Sequence, residues 1–249
     1  MKQYCLNKKE IRYLTNQFNN DLMGIGYSLG TDAQEELRIQ ESLLSKDYAV
    51  SDFDCSFSVE AGLASLLNEC NQWSKIVHFS STSLDRDDAF DRFFIIQNTV
   101  VHEMRKGDAV CIERADKTVI INKMAQFFSV QDMDVGEDDS FLVNAKRIEI
   151  LSQLRKERLV REIKNEGCSD RLGNYIADAL TGRGEYASVV IIERTPTDIQ
   201  IQKKLTVCWL EEMVLIIHPE HNNGKQCIRF ELGSQTKLEM ELTTLRSAI

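Results

Sequence analysis

The stretch WSKIVHFSSTSLD, residues 73–85, has an echo in YASVVIIERTPTD, residues 186–198. Each opens on an aromatic residue, runs through a short β-branched apolar segment and closes on Thr, Ser or Pro with Asp. That pattern predicts a strand ending in a turn. What surrounds the two stretches decides the fold. Before the first lies a helical pattern over residues 58–71, with Ser58 as cap candidate and Leu63, Leu66, Leu67 and Cys70 inward. After it come strand patterns at 92–97, 99–105 and 109–115, with a hairpin turn at 105–108, and then a helical period over 117–129 whose β-branched residues leave a strand reading open. The second half repeats this order. A helix over 170–181 is stopped by Gly182, and strands follow at 187–193, 204–210, 212–217 and 226–231. A turn at 221–224 precedes the last strand, and a helix over 234–246 closes the chain. Corresponding elements keep a steady offset of about 113 to 118 residues. The reading is an internal duplication. The competing reading is one mixed α+β domain with the same rhythm by accident.

Outside the repeat the signals are local. Asn7 with Glu10 three residues later forms a capping box, and Leu6 and Ile11 take the staple positions of a helix that carries Leu14 and Phe18. Glycines over 24–31 break it, and a second helix is predicted over 33–45 with Leu37, Ile39 and Leu44. Residues 132–139 read as an acidic connector. A long amphipathic helix is predicted over 140–165, with Phe141, Ala145, Ile148, Leu151 and Leu154 on one face and Gly167 beyond its end. The expected fold class is therefore α+β, with two helix–four-strand–helix halves, 1–131 and 132–249, building a central, mainly antiparallel sheet within one compact unit.

Composition narrows function. The chain has 249 residues, 43% of them hydrophobic and 28% charged, which is ordinary for a globular protein with a real core. A formal net charge of −9 repels phosphate backbones, so nucleic acid is not the expected partner. The longest apolar runs are far too short for a bilayer, and no apolar segment of a secretory signal is expected near MKQYCLNKKE. Seven cysteines without CxxC spacing, Cys111 and Cys208 among them inside apolar runs, read as reduced, buried thiols of a cytoplasmic protein.

Candidate chemistry is sparse. His218 and His221 stand three apart in HPEH, a spacing that holds a metal on a helix; Pro219 and the following NNG predict a turn instead. His78 and His102 alternate within strand patterns and are expected to be packed. The acidic runs LDRDDAFD, 84–91, and QDMDVGEDD, 131–139, read as solvated loops. The second lacks the glycine and glutamate positions of a calcium loop. RKERLVREIK, 155–164, is an exposed helical face whose Glu157 and Glu162 balance its cations. There is no phosphate-binding glycine loop, no GxSxG and no HExxH. No catalytic, cofactor-binding or metal-ligating set is predicted.

Several segments together resemble one family. LNKKEIRYLTNQF, ELRIQESLLSKDYAV, FSVEAGLASLLNEC and the closing ELGSQTKLEMELTTL, with the two strand sets between them, are similar to the EspG-type chaperones of type VII (ESX) secretion systems. The resemblance implies a pseudo-twofold arrangement around a central sheet flanked by helical bundles. It implies binding rather than catalysis: these proteins hold secreted helical-hairpin substrates in the cytoplasm and cover an apolar hairpin tip. The chain departs from mycobacterial members in being rich in Lys, Asn and Gln and poor in alanine, as in a Firmicute. The expected client is then a WXG- or LXG-type helical protein or the secretion machinery, and a homodimer is compatible with this picture. The second-half sheet and last helix are the expected docking face, through Trp209, Leu210, Met213 and Met240, each of which competes with a core-packing reading. The alternatives are another protein-binding module, such as an immunity protein or transcriptional adaptor, and an unrecognised enzyme.

Overall fold

The strand patterns that follow residues 73 and 186 do form strands, and they belong to one sheet. The computed structural model describes residues 2–18, 33–51, 56–83, 86–106, 109–128, 139–211 and 213–249. The expected turns and loops at 24–31, 107–108 and 131–138 lie outside these residues.

The strands of the first part of the chain are β1 (Tyr4–Asn7), the short pair β2 (Ala49–Ser51) and β3 (Phe57–Val59), β4 (Lys75–Ser83), β5 (Arg86–Ile96), β6 (Thr99–Lys106) and β7 (Ala109–Ala115). Those of the second are β8 (Ser140–Asn144), β9 (Glu185–Arg194), β10 (Ile199–Trp209), β11 (Val214–Asn222) and β12 (Lys225–Leu232). Apart from β2 and β3, which pair with each other, they order as β1-β7-β6-β5-β4-β9-β10-β11-β12-β8. Eight helices are present among the described residues: α1 (Lys8–Gln17), α2 (Ala33–Ser45), α3 (Ala61–Cys70), α4 (Lys117–Phe127), α5 (Ala145–Leu151), α6 (Lys156–Asn165), α7 (Asp170–Leu180) and α8 (Gln235–Arg246). In each half a helix, four hairpin-linked strands and a helix follow in that order, α3 to α4 and α7 to α8. None of these helices is long and apolar enough to cross a membrane. Residues 86–91, expected in a loop, are strand instead: they open β5 and carry its hairpin past the apolar part.

Contacts gather the chain into two compact units. The first comprises Met1–Val77, Phe90–Ile120 and Glu193–Ile199. Here the Asn7 side chain accepts hydrogen bonds from the Lys9 and Glu10 amides, and the Glu10 carboxylate accepts from the Asn7 amide, closing the predicted capping box. Leu6 and Ile11 are buried. Glu10 itself is fully buried, and its carboxylate also takes the Ser42 hydroxyl at 2.6 Å and the Lys46 ammonium at 2.7 Å. The cap of α3 is not Ser58, which lies in β3, but Glu60: its carboxylate accepts from the Leu63 amide and from the Tyr4 hydroxyl at 2.7 Å. Burial, with that contact behind it, pushes the Tyr4 phenol up to about 12.

The edge strand β1 has no clear signal in the sequence, and it brings a correction. Its Cys5 stands opposite Cys111 of β7 in antiparallel register, and the two form a disulfide, with Cα atoms 4.0 Å apart. Cys111 is buried, as expected, but it is not a free thiol. Cys70, Cys168, Cys208 and Cys227 remain reduced.

The second unit comprises His78–Ala89, Ile121–Ile192 and Gln200–Ile249. Its core holds Leu151, Leu159, Ile163, Leu172, Ile176, Leu215 and Phe230. The long helix expected over 140–165 is three elements. Phe141 and Val143 alternate inward as β8, paired with Phe230 and Ile228 of β12, because the strand period fits these residues as well as the helical one. Asn144 then caps α5, Ser152 ends it, and α6 starts afresh at Lys156. Gly167 and Gly182 sit at φ 95° and 80°, the left-handed positions that end α6 and α7.

Candidate docking site

Within the second unit, β10, β11, β12 and α8 border a concavity of about 890 Å³. Its cause can be traced to one residue. Asn223 and Gly224 have φ of 50° and 74°, so β11 and β12 are joined by a two-residue turn of the mirror-image type. Asn222 and Lys225, which flank it, are then a hydrogen-bonded pair, and hydrogen-bonded pairs recur at every second residue. His218 and Glu220 point their backbone groups at β12; Ile217, Pro219 and His221 point theirs at β10. The other end of β11 agrees: Leu210 and Met213 exchange backbone hydrogen bonds, and the β10–β11 ladder continues from Trp209↔Val214 to Thr206↔Ile217. The next hydrogen-bonded pair on that side would be Lys204 with Pro219. Proline has no N–H to give, and the ladder stops there. The β11–β12 ladder is untouched and runs on to the turn. HPEH is thus strand rather than the expected turn.

Ile201, Lys203 and Lys204 line one side of the opening, Pro219 and His221 the other, and Glu241, Thr244 and Leu245 of α8 its floor. Ile201 is 65% exposed. On β12, Arg229 holds Glu220 at 2.6 and 2.9 Å, which lowers that carboxyl, and approaches Glu231 at 3.8 Å. Lys203 and Lys204 make no ion pair among the described residues.

The expected contact residues fall in two places. Trp209, Leu210 and Met213 come together at the β10–β11 turn. Trp209 is half-buried and stacks on Phe128 at 6.3 Å. Leu210 packs partly buried on the core, and Met213 is within it, its sulfur 3.8 Å from an Arg171 nitrogen. Met240 stands apart on α8 and is 65% exposed. The opening at Pro219 is not among the sites expected from sequence. Its one signal is a proline inside an apolar strand pattern, which local rules assign to a turn.

Elsewhere the polar residues serve the fold. Among the described residues no His, Cys, Asp or Glu cluster could hold a metal ion. Burial pushes Cys208 up to about 11 and Cys168 to about 12, so both thiols are protonated and unreactive. His102, buried, shares a 2.8 Å hydrogen bond with Asp91 and stacks on Phe93. Its neighbour Glu103 is buried, with Arg92 at 3.6 Å. Burial pushes the Glu103 carboxyl up to about 7, against smaller opposing pulls from Arg92 and His102. A carboxyl that titrates higher in the fold than in the unfolded chain binds its proton more tightly when folded. The stability it adds is complete below the unfolded value of about 4.3 and is lost as pH rises through 7. Going from about pH 8 to pH 5 should therefore strengthen the fold by about 2–3 kcal/mol through this group. Glu103→Gln should remove that dependence and be the more stable protein at the alkaline end. Urea unfolding at several pH values reads this out, and a mutant weaker than wild type at alkaline pH would refute it.

The fold has a counterpart among solved structures. Over 98% of this chain and 95% of the other, the protein is similar to the Mycobacterium tuberculosis type VII secretion system chaperone EspG5, solved in complex with a PE25–PPE41 dimer. The TM-score is 0.65 and the identity 10%, which shows an EspG-like α+β fold and nothing finer. A putative adenylate cyclase from Bacillus halodurans, at TM-score 0.17 and 8% identity, carries no argument. No family model matches the chain, and no curated protein matches it.

Proposed function

We propose that the chain is a non-enzymatic chaperone or adaptor that holds secreted helical proteins of a type VII secretion system in the cytoplasm. The observation that carries this is the likeness of fold to EspG5 along nearly the whole of both chains. We take the client to be a WXG- or LXG-type helical protein, on the Firmicute-like composition. The docking face is the second-half sheet with α8. There Met240 offers exposed apolar surface, and the half-buried Trp209 and Leu210 stand with the buried Met213 at the β10–β11 turn. An apolar helical tip is covered by such a preformed surface. We read the two halves as one unit built twice.

Affinity capture of the tagged protein from its own cells tests this. The expected result is a small helical protein encoded with the secretion machinery, recovered in stoichiometric amount. Met240→Asp should cut its recovery by about tenfold, as removal of a central apolar anchor does, while changing stability by under about 0.5 kcal/mol. Recovery of the chain alone from cells that express such clients would overturn the proposal.

A further inference from the structure

The opening between β10 and β11 has the chemistry of a strand receptor. On one side stand the Pro219 carbonyl and the His221 amide and carbonyl, which by register point away from β12 and lie beyond the end of the β10–β11 ladder. On the other stands Lys204, next in alternation after Thr206 and deprived of its partner by Pro219. Backbone donors and acceptors in that spacing are satisfied by another extended chain. A helix bonds its own backbone groups internally and cannot use them. The side chains refine the choice. Ile201 presents exposed apolar surface, and Lys203 and Lys204 are cations without an acidic partner among the described residues, whereas Arg229 across the opening is already held by Glu220.

We propose that this opening binds an extended segment of a partner polypeptide, added as a strand between β10 and β11, with acidic side chains alternating with apolar ones. The inference goes beyond helical-tip binding and rests, within that same face of the second unit, on residues other than Trp209 and Met240. Its occupant is defined by backbone pairing and its sign by Lys203 and Lys204, which as neighbours on β10 face opposite sides of the sheet, so the acidic face of the added strand meets a cation whichever way it turns. The opening exists because a proline stands at the one register position where its missing N–H ends the β10 ladder and spares that of β12.

The probe is a short fluorescent peptide of alternating valine and glutamate, followed by anisotropy at low salt, with amide hydrogen exchange read on the intact protein. The peptide should bind and should protect the His221 amide. Replacing its glutamates with lysines should weaken binding by about tenfold or more, as should the double variant Lys203→Glu, Lys204→Glu, whose sites are exposed and tolerate the change. Pro219→Val restores the N–H and lets the ladder close, so it should abolish peptide binding while leaving the fold at least as stable. Salt-insensitive binding, unprotected His221, unchanged affinity in Pro219→Val, or equal competition by a helix-locked peptide of the same composition would each overturn the proposal. Client capture by Pro219→Val separates the two ideas. Clients retained by a variant that no longer binds the peptide leave the chaperone reading standing; peptide bound by a protein that captures no client leaves the strand site standing.

Discussion

Glu10→Ala should lower the stability of the first unit by about 3 kcal/mol, one of the largest effects of any single substitution here. The carboxylate is fully buried and is the common acceptor for three donors: the Asn7 amide at 2.8 Å, the Ser42 hydroxyl at 2.6 Å and the Lys46 ammonium at 2.7 Å. Removing it takes the acceptor from the first two, both in part-buried hydrogen bonds, and a donor left unmet there costs up to about 1–3 kcal/mol. Lys46 is less affected, since its side chain keeps 34% of its exposure and can turn to water. The capping box also loses its return bond, and with it the fixed entry of the chain from β1 into α1. Glu10→Gln keeps the volume and one acceptor oxygen and gives up the charge, so about half the loss is expected. At this chain length the alanine variant should melt about 6–12 °C lower. Circular dichroism melts of both variants check this. A shift under about 2 °C for Glu10→Ala would show that Asn7 and Ser42 find other partners.

Half of that cluster is visible in the sequence alone. The spacing of Asn7 and Glu10 is a local signal, written within one helical turn, and the capping box it predicts is the one that forms. Gly167, Gly182 and Asn223–Gly224 are legible for the same reason: a helix stop or turn depends on its own few residues. The central stretches of the eight hairpin strands are legible because apolar residues, many of them β-branched, gather there, as at Val189 and Ile191, both fully buried. β1 and β8 are not. Four or five residues carry too little period to tell strand from helix, and what makes Tyr4–Asn7 a strand is β7, more than a hundred residues away. Ser58 loses the cap to Glu60 because the longer carboxylate also reaches the Tyr4 hydroxyl, a partner on another element. Of the expected docking residues, Met240 is surface and Met213 is core, a distinction that an apolar side chain does not announce. The opening at Pro219 depends on the register of two ladders at once. Ser42 and Lys46, the rest of the Glu10 site, likewise depend on the tertiary fold.

Reduction of the Cys5–Cys111 bond should be the other large effect. The bond closes a loop with a sequence separation of 106 residues, for which the chain-entropy account gives about 4.7 kcal/mol and practice more often about 2–4. Its two ends lie in β1 and β7, so the unfolded chain regains nearly half its length as free loop when the bond opens. The folded state loses little in exchange, because the four register pairs of β1 with β7 remain. Reductant should therefore lower the melting temperature by about 6–12 °C, and Cys5→Ala should melt at that lower value with or without reductant. Access governs the rate. Cys111 is buried but Cys5, on the edge strand, is only partly so; attack is therefore confined to the Cys5 sulfur under native conditions and should be faster in denaturant, where both are open. Alkylation of freshly lysed cells, before any reductant is added, decides which form operates. Protected Cys5 and Cys111 would mean that the disulfide-bonded form is the working protein. Full labelling of both would mean that the working protein is the weaker, reduced form, with β1 held by its backbone ladder and by the Tyr4–Glu60 hydrogen bond.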